Sequence, residues 1–296
     1  MNPTPDGPAP QRFRHALPDG HLAGLAWPAP DKPRLVFIHA NGFCASAYRS
    51  VLSRLAADFD ILAPDLRGHG TSRLPVDPDR HHNWHIYVRD ICAWLGALDR
   101  PADALAGHSM GAIIAMMSAA RQDQPTSLAL VEPVVMPSIV YLTARSPFRG
   151  IMRGRIAIAN AARKRYDGWP ARSDAAKRYA RHKTFRNWAD GVLDDYLEDG
   201  LMSDGEGGVR LSCNPMWEAA NYEAQGHDIG ASLDQASGPI HVLKAEHAST
   251  IINRRALTGR GIGIDLLAGA GHLAPMEAPG PVADWIATRL TAPRPD

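Results

Sequence analysis

Gly107-His108-Ser109-Met110-Gly111 fits the pattern G-x-S-x-G. In that pattern a serine stands on a sharp strand-to-helix turn, with its hydroxyl lifted clear of the sheet and small flanks that let strand and helix approach. The start of the following helix adds a field that favours developing negative charge. Five residues are a short pattern, but here the context it requires is present: the apolar run ADALA precedes it and the apolar body GAIIAMMSAA follows. Ser109 is therefore a candidate nucleophile. A serine hydroxyl is weak near neutral pH unless a base stands beside it. His272, in GAGHLAPMEAP, is the candidate base, since an imidazole can take the proton and return it to a leaving group. Such chemistry also needs a carboxylate to hold the imidazole tautomer and N–H donors for the oxyanion.

These residues must be positioned by secondary structure, and the hydrophobic pattern shows how. Gln11 to Trp27 reads as two short strands around a turn at Pro18-Asp19-Gly20. RLVFIHA (34–40) is a continuous apolar run, as in strands buried on both faces. The pattern then predicts a helix near 47–57, a strand at 60–66, a helix at 86–98, a strand at 102–109, a helix at 111–122 and a strand at 127–135. It resumes with a strand at 239–245, a helix near 250–257, a strand at 263–270 and a last helix near 281–290. Alternation of this kind is the mark of a doubly wound parallel sheet. Between Met136 and about Gln225 the alternation stops, and the chain becomes helix-rich, aromatic and basic. The expected organisation is a leader over 1–10, disordered because of its four prolines, a core over 11–135 and 226–296, and a helical insert over 136–225 that caps the site.

Four blocks occur in order: HANGF (39–43), DLRGHGTS (65–72), GHSMG (107–111) and GAGHLAPMEAP (269–279). With them the chain resembles the α/β-hydrolase superfamily from Gln11 to Leu290. The resemblance implies a mostly parallel eight-stranded sheet with helices on both faces and an inserted helical cap. It implies Ser109 as nucleophile and His272, last in chain order, as base. It places one oxyanion donor in the loop after the first long strand, at the backbone N–H of Asn41. Ala40 stands there where glycine is usual. The second donor is the backbone N–H of Met110. DLRGHGTS resembles a stretch that is mostly architectural in the family, where Asp65 and Arg67 can pair. His39 reads as a structural histidine.

The acid departs from the commonest family pattern. After the strand 239–245 the chain runs Glu246-His247-Ala248-Ser249-Thr250, with no aspartate at the usual place and Glu246 too early in the loop. A second family location, used by haloalkane dehalogenases among others, follows the strand after the nucleophile helix. Here that strand ends in Glu132. Glu132 is the expected acid and Glu246 the alternative.

Composition narrows the remaining possibilities. The chain has 296 residues, is 45% apolar, and carries 32 Lys plus Arg against 31 Asp plus Glu. That balance gives no electrostatic case for nucleic acid or an acidic membrane. The three cysteines, Cys44, Cys92 and Cys213, are scattered and suggest neither a disulfide framework nor a zinc site. No signal peptide and no apolar run of about 18 residues is found. The expectation is a cytoplasmic protein with no cofactor and no metal, acting on a small molecule; a homo-oligomer is compatible with it. His81, His82 and His85 flank Trp84, lack a cysteine at a recognised metal spacing, and read as helix-entry surface. The basic residues of the insert, among them Arg145, Arg149, Arg153, Arg163, Arg165 and Arg172, read as a solvated face, with steering of an anionic substrate as the functional alternative. Phe148, Trp169, Trp188, Met216 and Trp217 mix core and pocket lining.

The expected function is hydrolysis of carboxylic esters or lactones through an acyl-enzyme. The alternatives are C–C bond hydrolysis of dienoic keto acids, cofactor-free haloperoxidation, and a non-catalytic ligand receptor that keeps the fold.

Overall fold

In a computed structural model, residues 8–146 and 154–292 are described. Of the sites singled out above, Phe148, Arg149, Arg153 and most of the proline-rich leader lie outside them.

The strands of the large sheet are β1 (Gln11–Leu17), β2 (Gly20–Trp27), β3 (Arg34–Ile38), β4 (Asp60–Asp65), β5 (Ala104–His108) and β6 (Ser127–Val131). After the insert, which carries the short strands β7 (Gly168–Trp169), β8 (Leu201–Ser203) and β9 (Val209–Leu211), come β10 (Ile240–Ala245) and β11 (Ile264–Leu267). The eight-stranded sheet runs β1-β2-β4-β3-β5-β6-β10-β11. β1 and β2 pair antiparallel, and β2 is antiparallel to β4. Every pairing from β4 through β11 is parallel.

Successive side chains on a strand point to opposite faces, and here both faces are apolar. Leu35, Phe37, Ala129, Val131 and Leu243 enter one cluster with α1 (Arg49–Leu55) and the C-terminal helix Pro279–Thr291. Val36, Ile38, Leu105, Leu128, Leu130 and Val242 enter the other, with α2 (His85–Leu95), α3 (Met110–Ala119) and the helix Ile229–Gln235. Burial on both faces explains why β3 and β5 read as unbroken apolar runs. α3 is buried along its whole length, as its Ala, Ile and Met body requires.

From β3 the chain crosses to β4 on one side and later to β5 on the other. Strand order therefore reverses between β3 and β5, and the carboxyl ends of strands at such a reversal are where open α/β sheets bind ligands. The HANGF loop leaves β3 there and Ser109 leaves β5 there.

The insert is helical, with α4 (Ser138–Arg145), α5 (Ala157–Arg163), α6 (Arg172–Ala180), α7 (Val192–Gly200) and α8 (Pro215–Glu223), but it also holds a small sheet ordered β7-β9-β8. α7 packs on the 3-10 turn Ala45–Tyr48, and Arg49 binds Asp195 at 2.6 Å and Glu198 at 2.6 Å. Part of the insert's positive charge is paired, within the insert or with Asp228 just after it. Arg163 pairs with Glu223 at 2.6 Å, Arg145 with Asp228 at 3.1 Å, and Arg165 with Glu218.

Two local expectations change. The helix expected near 250–257 shrinks to Arg255–Thr258, because the preceding loop carries donors to Glu132. Asp65 and Arg67 do not pair. Arg67 makes a two-pronged contact with Asp90, both bonds at 2.8 Å, while Asp65 accepts from Ala45 N and from Thr71 N and Oγ1. Among the described residues no helix is long and apolar enough to cross a membrane.

Candidate active site

Ser109 has φ 57° and ψ −117°, a left-handed backbone that a non-glycine residue adopts at a cost of about 1–3 kcal/mol. The flanking glycines make that turn sterically feasible. A Cβ on Gly107 would lie 2.6 Å from the Gly111 carbonyl, and one on Gly111 would lie 2.2 Å from the Ile38 carbonyl oxygen. Strand, helix and the end of β3 thus touch backbone to backbone, which holds the hydroxyl where strand order reverses.

Ser109 Oγ lies 3.0 Å from His272 Nε2. His272 Nδ1 lies 3.0 Å from Glu132 Oε2. Glu132 is fully buried at the end of β6, with a φ of 48°. Its two oxygens accept from Ala245 N at 2.7 Å, Ser249 Oγ at 2.7 Å and Thr250 N at 3.0 Å, besides His272. Burial alone pushes a carboxyl pKa up, but here the donors outweigh it: the bond from His272, then those from Ser249, Ala245 and Thr250, hold Glu132 below its ordinary value. An ionised carboxylate only accepts, so Nδ1 of His272 carries the proton. Nε2 is then free to accept from the Ser109 hydroxyl. Glu246 is spent elsewhere: its carboxylate accepts from Gly269 N at 2.7 Å and stands 3.9 Å from His247 on the surface.

Asn41 and Met110 are both buried where the chain leaves β3 and enters α3. No acceptor binds either backbone N–H among the described residues; for Met110 this follows from its place in the first helical turn. The side chain of Asn41 is held firmly. Its Nδ2 donates to the Glu218 carbonyl at 2.9 Å and its Oδ1 accepts from Asn221 Nδ2 at 2.8 Å. Asn221 in turn accepts from Tyr87 Oη at 2.7 Å. Gly42 N donates to His69 Nε2 at 3.1 Å. His39 accepts from Leu66 N at 2.8 Å and donates to its neighbour Ala40, a structural arrangement.

Sequence reasoning missed Asn221, Glu218 and His69 as supports of this loop. Glu218 and Asn221 lie far along the chain, and the one available signal for them was the polar Asn41 in an apolar setting; His69 stands in the DLRGHGTS block. Ser249 and Thr250, which stand in the run where the aspartate is missing, are further supports, of the acid rather than of this loop. Hydroxyl residues at the empty aspartate position are the signal that a carboxylate from elsewhere is received there. His81 is buried against Trp217, ring centroids 4.4 Å apart, rather than exposed at the helix entry. Trp217 donates to the Arg67 carbonyl at 3.1 Å.

A sequence profile described as "Alpha/beta hydrolase family" matches residues 35–285. A haloalkane dehalogenase of Mesorhizobium japonicum is 30% identical over 122 residues, 41% of this chain and 38% of that protein. The lipase LipV of Mycobacterium tuberculosis is 28% identical over 248 residues, 79% of this chain and 84% of that one. The chain spans a quarter to a half of the length of the first curated relatives it matches, from 25% to 50%. Among solved structures, E-2-(acetamidomethylene)succinate hydrolase superposes with a TM-score of 0.77 at 18% identity, over 96% of this chain and 100% of that one. At that identity the likeness concerns the fold.

Proposed function

The chain belongs to the alpha/beta hydrolase family, and from that premise we propose that it is a serine hydrolase of small-molecule carboxylic esters or lactones, working through an acyl-enzyme. The observation that carries this reading is the unbroken line Ser109 Oγ, His272 Nε2, His272 Nδ1, Glu132 Oε2, with 3.0 Å at each hydrogen bond.

In this reading Ser109 Oγ attacks the substrate carbonyl while its proton passes to His272 Nε2. The imidazolium is stabilised by ionised Glu132. The oxyanion is met by the N–H groups of Asn41 and Met110, fixed before substrate arrives, and each such donor contributes about 3–4 kcal/mol in comparable sites. The tetrahedral intermediate collapses, and His272 returns the proton to the departing alcohol or ring oxygen. Water, deprotonated by His272, then cleaves the acyl-Ser109 ester. Residues 136–225 act as a cap over this site in the proposal; the bond that Asn41 donates to Glu218 and the one it accepts from Asn221 support that placement.

Haloalkane dehalogenation is a poor fit to Ser109. Displacement of halide by a serine oxygen would leave an alkyl ether, which the same histidine could not hydrolyse, whereas an acyl ester turns over. The test is a fluorophosphonate probe followed by peptide mapping, alongside a rapid-mixing assay with a nitrophenyl ester. Labelling at Ser109 and a nitrophenol burst stoichiometric with protein are expected. An unlabelled Ser109 with no burst would remove the basis of the reading.

A further inference from the structure

Behind the proposed site lies a second chain of buried polar groups that the mechanism above does not use. Ala40 N donates to Tyr48 Oη at 3.0 Å. Tyr48 Oη lies 2.8 Å from His108 Nδ1, and His108 Nε2 lies 2.8 Å from the carbonyl oxygen of His272. Tyr48 and His108 are each fully buried.

Chemistry fixes the direction of every bond. The Ala40 N–H can only donate, so Tyr48 Oη accepts from it and has its own proton to give. The His272 carbonyl can only accept, so His108 Nε2 carries a proton. Burial, first, and the nearby His272 depress the His108 pKa to about 3, so the ring is neutral and Nδ1 accepts from the Tyr48 hydroxyl. Four groups are satisfied in one orientation, and reversing any link leaves a buried group unpaired.

The three anchor points are not arbitrary. Ala40 precedes Asn41, His108 precedes Ser109, and His272 is itself the proposed base. We propose that Tyr48 and His108 are positioning residues that lock the oxyanion loop, the serine turn and the backbone of the base into one register. The inference rests on the reading of Ser109, His272 and Asn41 given above. His272 lies in an irregular stretch between β11 and the helix Ala274–Glu277, and among the described residues its carbonyl takes the His108 side chain as partner and no backbone N–H. Misplacing a reacting group by about 1 Å can cost on the order of 100-fold in rate.

The experiment compares Tyr48→Phe, His108→Leu, their double mutant and His108→Gln with the wild type, using nitrophenyl butyrate. Turnover is referred to sites titrated with fluorophosphonate, so that misfolded protein does not count. Tyr48→Phe and His108→Leu should each lower kcat by about 10- to 100-fold with KM changed by less than about twofold. The double mutant should lose little more than either single, as expected for members of one network. His108→Gln, whose amide N–H can still reach the His272 carbonyl, should recover most of kcat. Unchanged kcat per titrated site in Tyr48→Phe, or additive losses without rescue by glutamine, overturns the inference while leaving Ser109 as nucleophile. A wild-type enzyme that takes no label at Ser109 overturns the catalytic reading and this inference with it.

Discussion

Glu132 and His272, 140 residues apart in the chain, meet through Oε2 and Nδ1 at 3.0 Å, while Glu246 on the neighbouring loop binds the backbone of Gly269. The contact joins the end of β6 to the loop after β11, across β10, the parallel strand that lies between them, so that the end of β6 also opens beside the loop after β10. That loop then supplies the Ser249 and Thr250 donors which hold the carboxylate ionised.

The acid assignment can be ranked kinetically. Glu132→Gln keeps the shape and removes the charge that favours the imidazolium; loss of the equivalent partner in a serine protease costs about 10⁴ in turnover. A fall of two or more orders of magnitude in kcat is expected for Glu132→Gln, with Glu246→Gln close to wild type. The opposite order would place the acid at Glu246. Small, equal effects would reduce the machinery to Ser109 and His272.

Ser109→Ala should abolish both fluorophosphonate labelling and the nitrophenol burst while leaving the thermal midpoint near that of the wild type. The substitution removes a hydroxyl that, among the described residues, bonds to His272 and to no other side chain. Undiminished labelling of the variant would point to another nucleophile.

Gly111→Ala tests the backbone contact beneath the serine turn. The new methyl would sit 2.2 Å from the Ile38 carbonyl oxygen and 2.4 Å from that of His39. Neither atom belongs to a flexible side chain, so β3 and α3 must separate. A loss of about 3 kcal/mol or more is expected in denaturant unfolding, and a variant within 0.5 kcal/mol (roughly the scatter of harmless surface changes) would show that the contact is looser than described.

Stability should rise with pH across the mildly acidic range. Burial depresses the pKa of His69 to about 4 and, together with neighbouring histidines, those of His108 and His227 to about 3. In the unfolded chain these imidazoles take up protons near pH 6.5. Between that pH and the folded values the unfolded state therefore holds more protons, and stability falls as pH falls. Asp65 acts in the opposite sense between about pH 4 and 6, because burial pushes its pKa up to about 6. His227, packed between Trp84 and Tyr141 and away from the site residues, isolates one contribution. His227→Gln should reduce the dependence of unfolding free energy on pH by on the order of one proton over this window. An unchanged slope in urea titrations at pH 4.5 to 6.5 would contradict the assignment.

What could be read in the residue order was whatever is encoded over short spans. The apolar runs marked β3, β5 and β6 because strands buried on both faces admit little else. G-x-S-x-G marked the turn at Ser109, since Gly107 answers a contact between the adjoining strand and helix, whereas the contact that Gly111 answers, with the end of β3, appears only in the folded chain. The absence of an aspartate from the run Glu246 to Thr250, where Ala248 or Ser249 takes its place, and the carboxylate ending β6 together pointed to Glu132. Tertiary structure decided the rest, because those relationships join groups far apart in the chain. Arg67 chose Asp90 over Asp65 only once α2 had docked against the loop after β4. The stretch 250–257 favoured a helix locally but gave most of it up to cradle Glu132, a demand that exists only after β6 and β10 pair. Asn41 found Asn221 across 180 residues, and Tyr48 found His108 across 60. A buried polar group must be partnered, and which partner it takes is set by where the packed elements leave a donor facing an acceptor.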